Sequence, residues 1–120
     1  MQRNSTTYIT DCSGKVFDNG GLNGNYQLNS YDTLIISTLN SDYIILKLQS
    51  LMIESGYGGN CNHDYLEIYD GAGVNNRSLG RYCSANLLPD SLISSGPNLT
   101  LVMYSDALTS ESGFIGEWYC

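Results

Sequence analysis

Apolar and polar residues alternate with a period of two along most of this chain. The clearest examples are the segments 43–48, 65–69 and 98–105, in each of which Leu, Ile or Met recurs at every second position. This alternation is typical of antiparallel strands with one face toward a core. Shorter runs predict further strands at 33–39, 79–83, 91–94 and 113–119. No segment has the 3.6-residue apolar period of a capped helix.

Turn sequences separate these strands. They are Asn19-Gly-Gly, Gly56-Tyr-Gly-Gly, Asp70-Gly-Ala-Gly and Gly96-Pro-Asn. Many short strands with regular turns indicate an all-β protein, either a sandwich or a barrel. With 120 residues the chain is long enough for a single core. We expect residues 1–11 to form an N-terminal arm and residues 12–120 to form one domain.

The composition narrows the classes of partner. Only 14% of the residues are charged, and the net charge is -7. A chain with this charge should repel nucleic acid and anionic membranes, and it favours cations or basic protein surfaces. No run of 18 apolar residues occurs, so we expect no membrane insertion. An enzyme is the class with least support, because the only histidine is His63 and no nucleophile is clustered with it.

The cysteines point to an oxidising compartment. There are four of them, none in a Cys-x-x-Cys pair, which is a poor arrangement for zinc and a natural one for two disulfides. Asn4, Asn76 and Asn98 each begin an Asn-x-Ser/Thr glycosylation sequence. The first seven residues are polar and show no secretory signal, so we expect a mature chain or a fragment with an added Met. The hypothesis is a secreted protein or ectodomain; a cytosolic protein is the alternative.

The segment from Cys61 to Gly71 carries the most chemical information. A half-cystine is followed within three residues by Asp64, and an alternating strand and a turn come next. A disulfide there would anchor an acidic loop at the start of a strand, where an oxygen-binding cation or a cationic partner could be held. His63, inside this loop, is interpreted as an ordinary loop residue.

Five ordered motifs resemble the CUB domain family. They are Cys61-Asn-His-Asp-Tyr-Leu-Glu-Ile-Tyr-Asp-Gly71, Leu79-Gly-Arg-Tyr-Cys83, Leu92-Ile-Ser-Ser, Leu99-Thr-Leu-Val-Met-Tyr-Ser-Asp106 and Gly113-Phe-Ile-Gly-Glu-Trp-Tyr119. The resemblance covers residues 12–120 and is strong from residue 42 onward. It implies a two-sheet antiparallel β-sandwich of jelly-roll type with a non-enzymatic, extracellular recognition role.

The cysteine pattern departs from that of the family. CUB domains usually have a second early Cys two residues before a Trp, but Tyr31-Asp-Thr-Leu-Ile-Ile occupies this region without either residue. The resemblance implies a Cys61–Cys83 disulfide. Cys12 then lacks its customary partner and Cys120 is extra, so we expect a Cys12–Cys120 disulfide, with pairing outside this chain as the alternative.

Many CUB domains bind calcium at one end of the sandwich. The residues that match this site are Glu54, Asp64 and Asp106, with the backbone carbonyl of Leu108 as a further ligand. Oxygen ligands of this kind suit Ca²⁺, with an affinity of about 10⁻⁴–10⁻³ M by analogy with extracellular modules. Tyr26 is the candidate for a tyrosine that supports the glutamate. The alternative is that the three acids are ordinary solvated surface groups.

The resemblance also implies how a partner is bound. In calcium-binding CUB domains the acidic ligands accept a lysine ammonium of a partner protein, and the matching residues here are Glu54 and Asp106. Tyr57 could contact the aliphatic part of that lysine. Two alternatives stay open: a spermadhesin-like protein that binds glycans or mediates cell adhesion, and an oligomerisation or scaffold domain of a larger secreted protease or receptor.

Overall fold

Nine strands form the structure, a computed structural model that describes residues 1–39, 41–56, 59–84 and 88–120. In chain order they are β1 (Thr6–Ile9), β2 (Ser13–Phe17), β3 (Ser30–Ser37), β4 (Ile45–Met52), β5 (Tyr65–Asp70), β6 (Arg77–Tyr82), β7 (Leu92–Ile93), β8 (Asn98–Ser105) and β9 (Gly113–Tyr119). Within the described ranges, no helix has the length and hydropathy needed to cross a bilayer.

The strands form two sheets that enclose one core. The order is β1-β3-β8-β5-β6 in the five-stranded sheet and β2-β9-β4-β7 in the four-stranded sheet. Neighbouring strands are antiparallel, except that β1 runs parallel to β3. The predicted two-sheet sandwich is therefore confirmed. Thr6–Ile9, within the segment predicted as an arm, forms the edge strand β1.

Alternating apolar side chains from both sheets fill the space between them. Leu99, Leu101 and Met103 of β8 are almost completely buried. Phe114 and Trp118 of β9 belong to the same apolar cluster. The indole Nε1–H of Trp118 donates to the Asp11 carbonyl at 3.0 Å, so the polar atom of this core residue has a partner.

The outer face of β8 is also buried, contrary to the half-buried strand that the alternation predicts. Thr100 and Val102 are at most 1% exposed. The Thr100 hydroxyl donates to the Gly71 carbonyl at 2.7 Å and accepts from the Gly73 amide at 2.8 Å, so the turn after β5 covers it. Because β8 is the middle strand of its sheet, neighbouring side chains shield both of its faces.

Both expected disulfides are present. Cys61 and Cys83 have Cα atoms 5.5 Å apart, and Cys12 and Cys120 have Cα atoms 5.2 Å apart. The first disulfide lies beside the end of β4, since the Cys61 amide donates to the Ser55 carbonyl at 3.0 Å. The second joins the start of β2 to the end of β9, which are already paired from Ser13 to Phe17.

Replacing Cys61 and Cys83 together by Ser should lower the free energy of unfolding by about 2–5 kcal/mol, because the unfolded chain loses a cross-link. Urea denaturation followed by tryptophan fluorescence of Trp118 measures this loss. The matched control is the double Ser variant of Cys12 and Cys120, which leaves the Cys61 loop closed. A loss below about 0.5 kcal/mol for the first variant would show that the loop is held without its disulfide.

Candidate functional site

Two acidic residues meet at one end of the five-stranded sheet. Asp64 immediately precedes β5, and Asp106 immediately follows β8. These strands are antiparallel neighbours with Tyr65 opposite Tyr104, so the start of one lies beside the end of the other. The backbone amide of Asp106 donates to Asp64 Oδ1 at 2.8 Å. The register of the sheet therefore brings together two carboxylates that are 42 residues apart in sequence.

A third carboxylate comes from the opposite sheet. Glu54 follows the end of β4 by two residues. The hydroxyl of Tyr26 donates to Asp64 Oδ2 at 2.6 Å and accepts from the Glu54 amide at 3.2 Å. Tyr26 itself is held by its amide, which donates to the Glu111 carbonyl at 3.1 Å. One buried phenol thus fixes the two sides of the site relative to each other.

The site is arranged around a buried carboxyl group. Asp64 is completely buried, and this burial raises the pKa of its carboxyl, because the charged form loses hydration. Two hydrogen bonds, from Tyr26 and from the Asp106 amide, act in the opposite direction. Burial and the hydrogen bond to Asp64 also raise the pKa of the Tyr26 phenol, which therefore stays protonated as a donor.

His63 lies between the two more accessible carboxylates. Its Nδ1 is 2.8 Å from Glu54 Oε1 and 4.0 Å from Asp106 Oδ2. A carboxylate only accepts hydrogen bonds, so Nδ1–H is the donor to Glu54. This bond raises the pKa of His63 above its ordinary value. The single histidine of the chain, interpreted from sequence as a loop residue, therefore joins Glu54, Asp64 and Asp106 in one cluster, called the acidic cluster below.

The cluster has the donor set of a cation site. One ligand atom each from Glu54, His63 and Asp106 can be chosen so that all lie within 4.8 Å of one another. Glu54 Oε2 is buried and has no hydrogen-bond partner among the described residues. A buried carboxylate oxygen without a donor is unfavourable unless a cation or a proton compensates it.

Comparison with known proteins identifies the family. The family model described as "CUB domain" matches residues 5–117. The chain belongs to the CUB family. Pig (Sus scrofa) cubilin is 36% identical over 95 residues, covering 79% of this chain and 2% of cubilin. Mouse (Mus musculus) procollagen C-endopeptidase enhancer 2 is 32% identical over 98 residues, covering 82% of this chain and 23% of the relative. The chain thus spans a small part of each of these relatives.

Solved structures agree with this fold. A structure described as the MASP-1 CUB2 domain bound to Ca²⁺ has a TM-score of 0.81 and 16% identity, covering 95% of this chain and 97% of that chain. The extracellular region of zebrafish Gpr126/Adgrg6 has a TM-score of 0.76 and 17% identity, covering 99% of this chain and 15% of that one. CUB domains are generally non-catalytic interaction modules, and the relatives include extracellular and secreted proteins.

The structure bears differently on the other residues of the site. The Leu108 amide donates to Asp106 Oδ1 at 3.1 Å, so this residue helps to orient Asp106, whereas its carbonyl as a ligand stays a prediction. Tyr57, expected to contact a partner, lies outside the described residues. His63 is the residue that sequence reasoning missed. The signal that could have found it is its position beside Asp64 and two residues after Cys61, whose amide bonds to Ser55, the residue after Glu54.

The three glycosylation sequences lie in different surroundings. Asn76 Nδ2 donates to the carbonyls of Ala72 and Gly73, both at 2.9 Å, so a glycan there would replace one of these bonds. Asn4 accepts from the Tyr31 amide through its Oδ1 at 2.9 Å. Asn98 begins β8 and is partly exposed. Glycosylation of all three stays a prediction.

Tyr26→Phe should lower the free energy of unfolding by about 1–3 kcal/mol, because it leaves a buried Asp64 oxygen and the Glu54 amide without the hydroxyl. Urea denaturation measures the loss. Tyr43→Phe is the matched control, since Tyr43 is 46% exposed, and it should change stability by less than about 0.5 kcal/mol. Equal effects of the two variants would show that the Tyr26 hydroxyl does not hold the site together.

Proposed function

We propose that this CUB domain is an extracellular recognition module that binds Ca²⁺ through its acidic cluster and, with the ion in place, a lysine side chain of a partner protein. The observation that supports it is that hydrogen bonds from Tyr26 and from the backbone join Glu54, Asp64 and Asp106, and that Glu54 Oε2 is buried with no hydrogen-bond partner among the described residues. A histidine nitrogen already lies 2.8 Å from the other oxygen of this carboxylate. A positively charged group therefore suits this position.

Calcium suits the donor set better than magnesium does. The candidate ligands are carboxylate oxygens from two connections, β4–β5 with Glu54 and Asp64 and β8–β9 with Asp106, and Ca²⁺ accepts six to eight oxygen ligands in irregular arrangements. Asp64 uses each carboxylate oxygen once, toward Tyr26 and toward the Asp106 amide, which leaves lone pairs for an ion. The ion would also offset the burial that raises the pKa of Asp64. Its contribution is to neutralise the carboxylates and hold their loops.

The carboxylates remain accessible to a partner. The side chains of Glu54 and Asp106 are 19% and 24% exposed, so an ammonium group can reach them from solvent. An ammonium that donates to two oriented carboxylates makes charge-assisted hydrogen bonds, which are stronger than neutral ones. The net charge of -7 favours the approach of a basic surface. The partner is therefore a protein that presents an exposed lysine.

The structural neighbour is consistent with this proposal. The MASP-1 CUB2 domain is described as bound to Ca²⁺. Because that domain is 16% identical to this chain, the comparison shows a common fold, and the proposal for calcium depends on the residues of this chain.

Calcium should stabilise the domain. If the dissociation constant is about 0.1–1 mM, calcium at about 2 mM adds roughly 0.6–1.8 kcal/mol to the free energy of unfolding, a rise of a few degrees in Tm. Thermal denaturation with calcium and with a chelator measures this shift. Asp106→Ala should abolish it, while Asp42→Ala, an exposed acid outside the cluster, should retain it. No shift in the unmodified protein, or an unchanged shift in Asp106→Ala, would contradict the calcium site.

A short peptide with one central lysine should perturb the backbone amide resonances of Glu54, His63 and Asp106 when calcium is present. The same peptide with an acetylated lysine should not, because acetylation removes the charge while keeping the length. Heteronuclear NMR titration measures the perturbation by each peptide. Because the control is a change in the peptide, the metal site of the protein stays the same in both titrations. Equal perturbation by the two peptides would contradict lysine recognition.

One surface supports glycan binding as a second candidate function. On the outer face of the five-stranded sheet, Tyr104 lies between two other rings, 6.4 Å from Tyr31 and 5.1 Å from Tyr65. Arg81 covers the Tyr65 ring at 3.8 Å. Tyr31 is 46% exposed, while Tyr65 and Tyr104 are partly exposed, so the accessible part of this row is a surface that a sugar can stack on.

A glycan array with and without calcium tests this alternative. Binding that is retained in Glu54→Ala and lost in Tyr31→Ala would favour a glycan. Lysine-dependent protein binding with no glycan signal would favour the first candidate.

A further inference from the structure

His63 changes the kind of cation that the cluster can bind. An acidic site made of oxygen donors alone suits Ca²⁺, whereas imidazole nitrogen is a ligand for zinc and neighbouring transition metals. Here Nδ1 of His63 lies among the carboxylates and is directed at one of them, 2.8 Å from Glu54 Oε1. A nitrogen that can bind a metal once it loses its proton therefore already lies among the carboxylates.

The spacing of the donors is close to that of a zinc site. Zn²⁺ with bonds of about 2.0–2.1 Å and tetrahedral geometry has ligand atoms about 3.3 Å apart. Nδ1 is 2.8 Å from Glu54 Oε1 and 4.0 Å from Asp106 Oδ2, so each separation differs from that value by less than about 1 Å. The third separation, between ligand oxygens of Glu54 and Asp106, is within 4.8 Å, so rotation of these side chains would have to bring the three donors to zinc geometry. The three side chains are about one-fifth to one-quarter exposed, so water can reach a fourth position.

The histidine–glutamate pair alone does not satisfy the cluster. The imidazole donates to one oxygen of Glu54 and leaves Oε2 buried without a hydrogen-bond partner in the described part of the chain. Asp106 Oδ2, at 4.0 Å, is beyond hydrogen-bond distance from Nδ1. A divalent ion among the three would offset the negative charge of both carboxylates, which a single N–H group cannot do.

In this arrangement Asp64 is not a zinc ligand but supports the residues that are. Its Oδ1 accepts from the Asp106 amide and its Oδ2 accepts from Tyr26, so it orients the loop that carries Asp106. Asp64 also directly follows His63 in the chain, and its burial fixes the backbone from which the imidazole projects. Supporting contacts of this kind typically change metal affinity by about 10–100-fold when they are removed.

We infer that Glu54, His63 and Asp106 provide a second mode of metal binding at this site, in which Zn²⁺ is bound by His63 Nδ1 and two carboxylates. The Nδ1 proton, which is donated to Glu54 in the metal-free protein, moves to Nε2 or to solvent when the ion binds. The inference deepens the proposed function, on whose cation site it rests, by adding a nitrogen ligand and a second class of metal. Zinc and calcium would compete for Glu54 and Asp106.

The test is a set of calorimetric titrations of the full chain with ZnCl₂ and, separately, with CaCl₂. The unmodified protein should bind one Zn²⁺, and His63→Gln should weaken zinc binding at least about tenfold while changing the calcium response less than about threefold. Asp106→Ala should weaken both metals, and Asp42→Ala should weaken neither. Glutamine keeps a polar side chain that can donate to Glu54, so His63→Gln removes the ligand nitrogen with little disturbance of the fold.

A spectroscopic measurement identifies the ligand. Because the chain has a single histidine, its imidazole proton resonances in NMR need no assignment by mutagenesis. Stoichiometric zinc should shift them, and Co²⁺ should give the visible absorption bands of a tetrahedral site, absent in His63→Gln. All four cysteines are in disulfides, so no thiolate can produce these bands.

The outcomes separate this inference from the calcium proposal. Zinc affinity in His63→Gln within about twofold of the unmodified protein, or imidazole resonances that do not move with zinc, would overturn the inference whatever calcium does. Zinc binding that depends on His63 without any calcium response would support it and contradict the calcium proposal. Calcium binding without zinc binding would support the calcium proposal and overturn the zinc inference.

Discussion

The buried hydrogen bond between Tyr26 and Asp64 is the interaction on which the candidate site depends. Asp64 is completely buried, and a buried carboxylate without donors would be strongly unfavourable. The Tyr26 hydroxyl supplies one donor and the Asp106 amide supplies the other. Because the same hydroxyl accepts from the Glu54 amide, it also joins the end of β4 in one sheet to the start of β5 in the other. The relative position of the three carboxylates follows from these bonds.

The sequence was sufficient to predict the strands that build the core. β5, β8 and β9 were predicted nearly at their observed bounds, because alternation of apolar residues is a strong signal wherever one face of a strand is buried. The edge strands β1 and β2 were not predicted. Their residues, Thr6–Ile9 and Ser13–Phe17, are mostly polar or partly exposed, and backbone pairing rather than a buried face holds them in place. Edge strands of this kind leave little periodicity in a sequence.

The site could be predicted only in part, for a similar reason. The positions of Asp64 and Asp106 follow from strand pairing, so a correct fold places them together. Glu54 and His63 are nine positions apart in the connection from β4 to β5, and apolar periodicity carries no information about whether their side chains meet. The bond from the Cys61 amide to the Ser55 carbonyl and the Cys61–Cys83 disulfide hold Cys61, two residues before His63, beside the end of β4. The three acidic residues could therefore be predicted from the sequence, whereas the position of His63 among them could not.

The chemistry of the cluster follows from having both kinds of donor. Oxygen ligands that are held by a fold but face solvent bind calcium weakly and reversibly, and they leave room for a partner's ammonium group. A nitrogen ligand favours a different class of metal, so on the inference drawn above His63 would let the same pair of carboxylates bind a second kind of cation. All three cations, calcium, zinc and a partner's lysine, would use Glu54 and Asp106. On these proposals, occupancy by one cation would alter binding of the others, and metal composition would control recognition at the cluster.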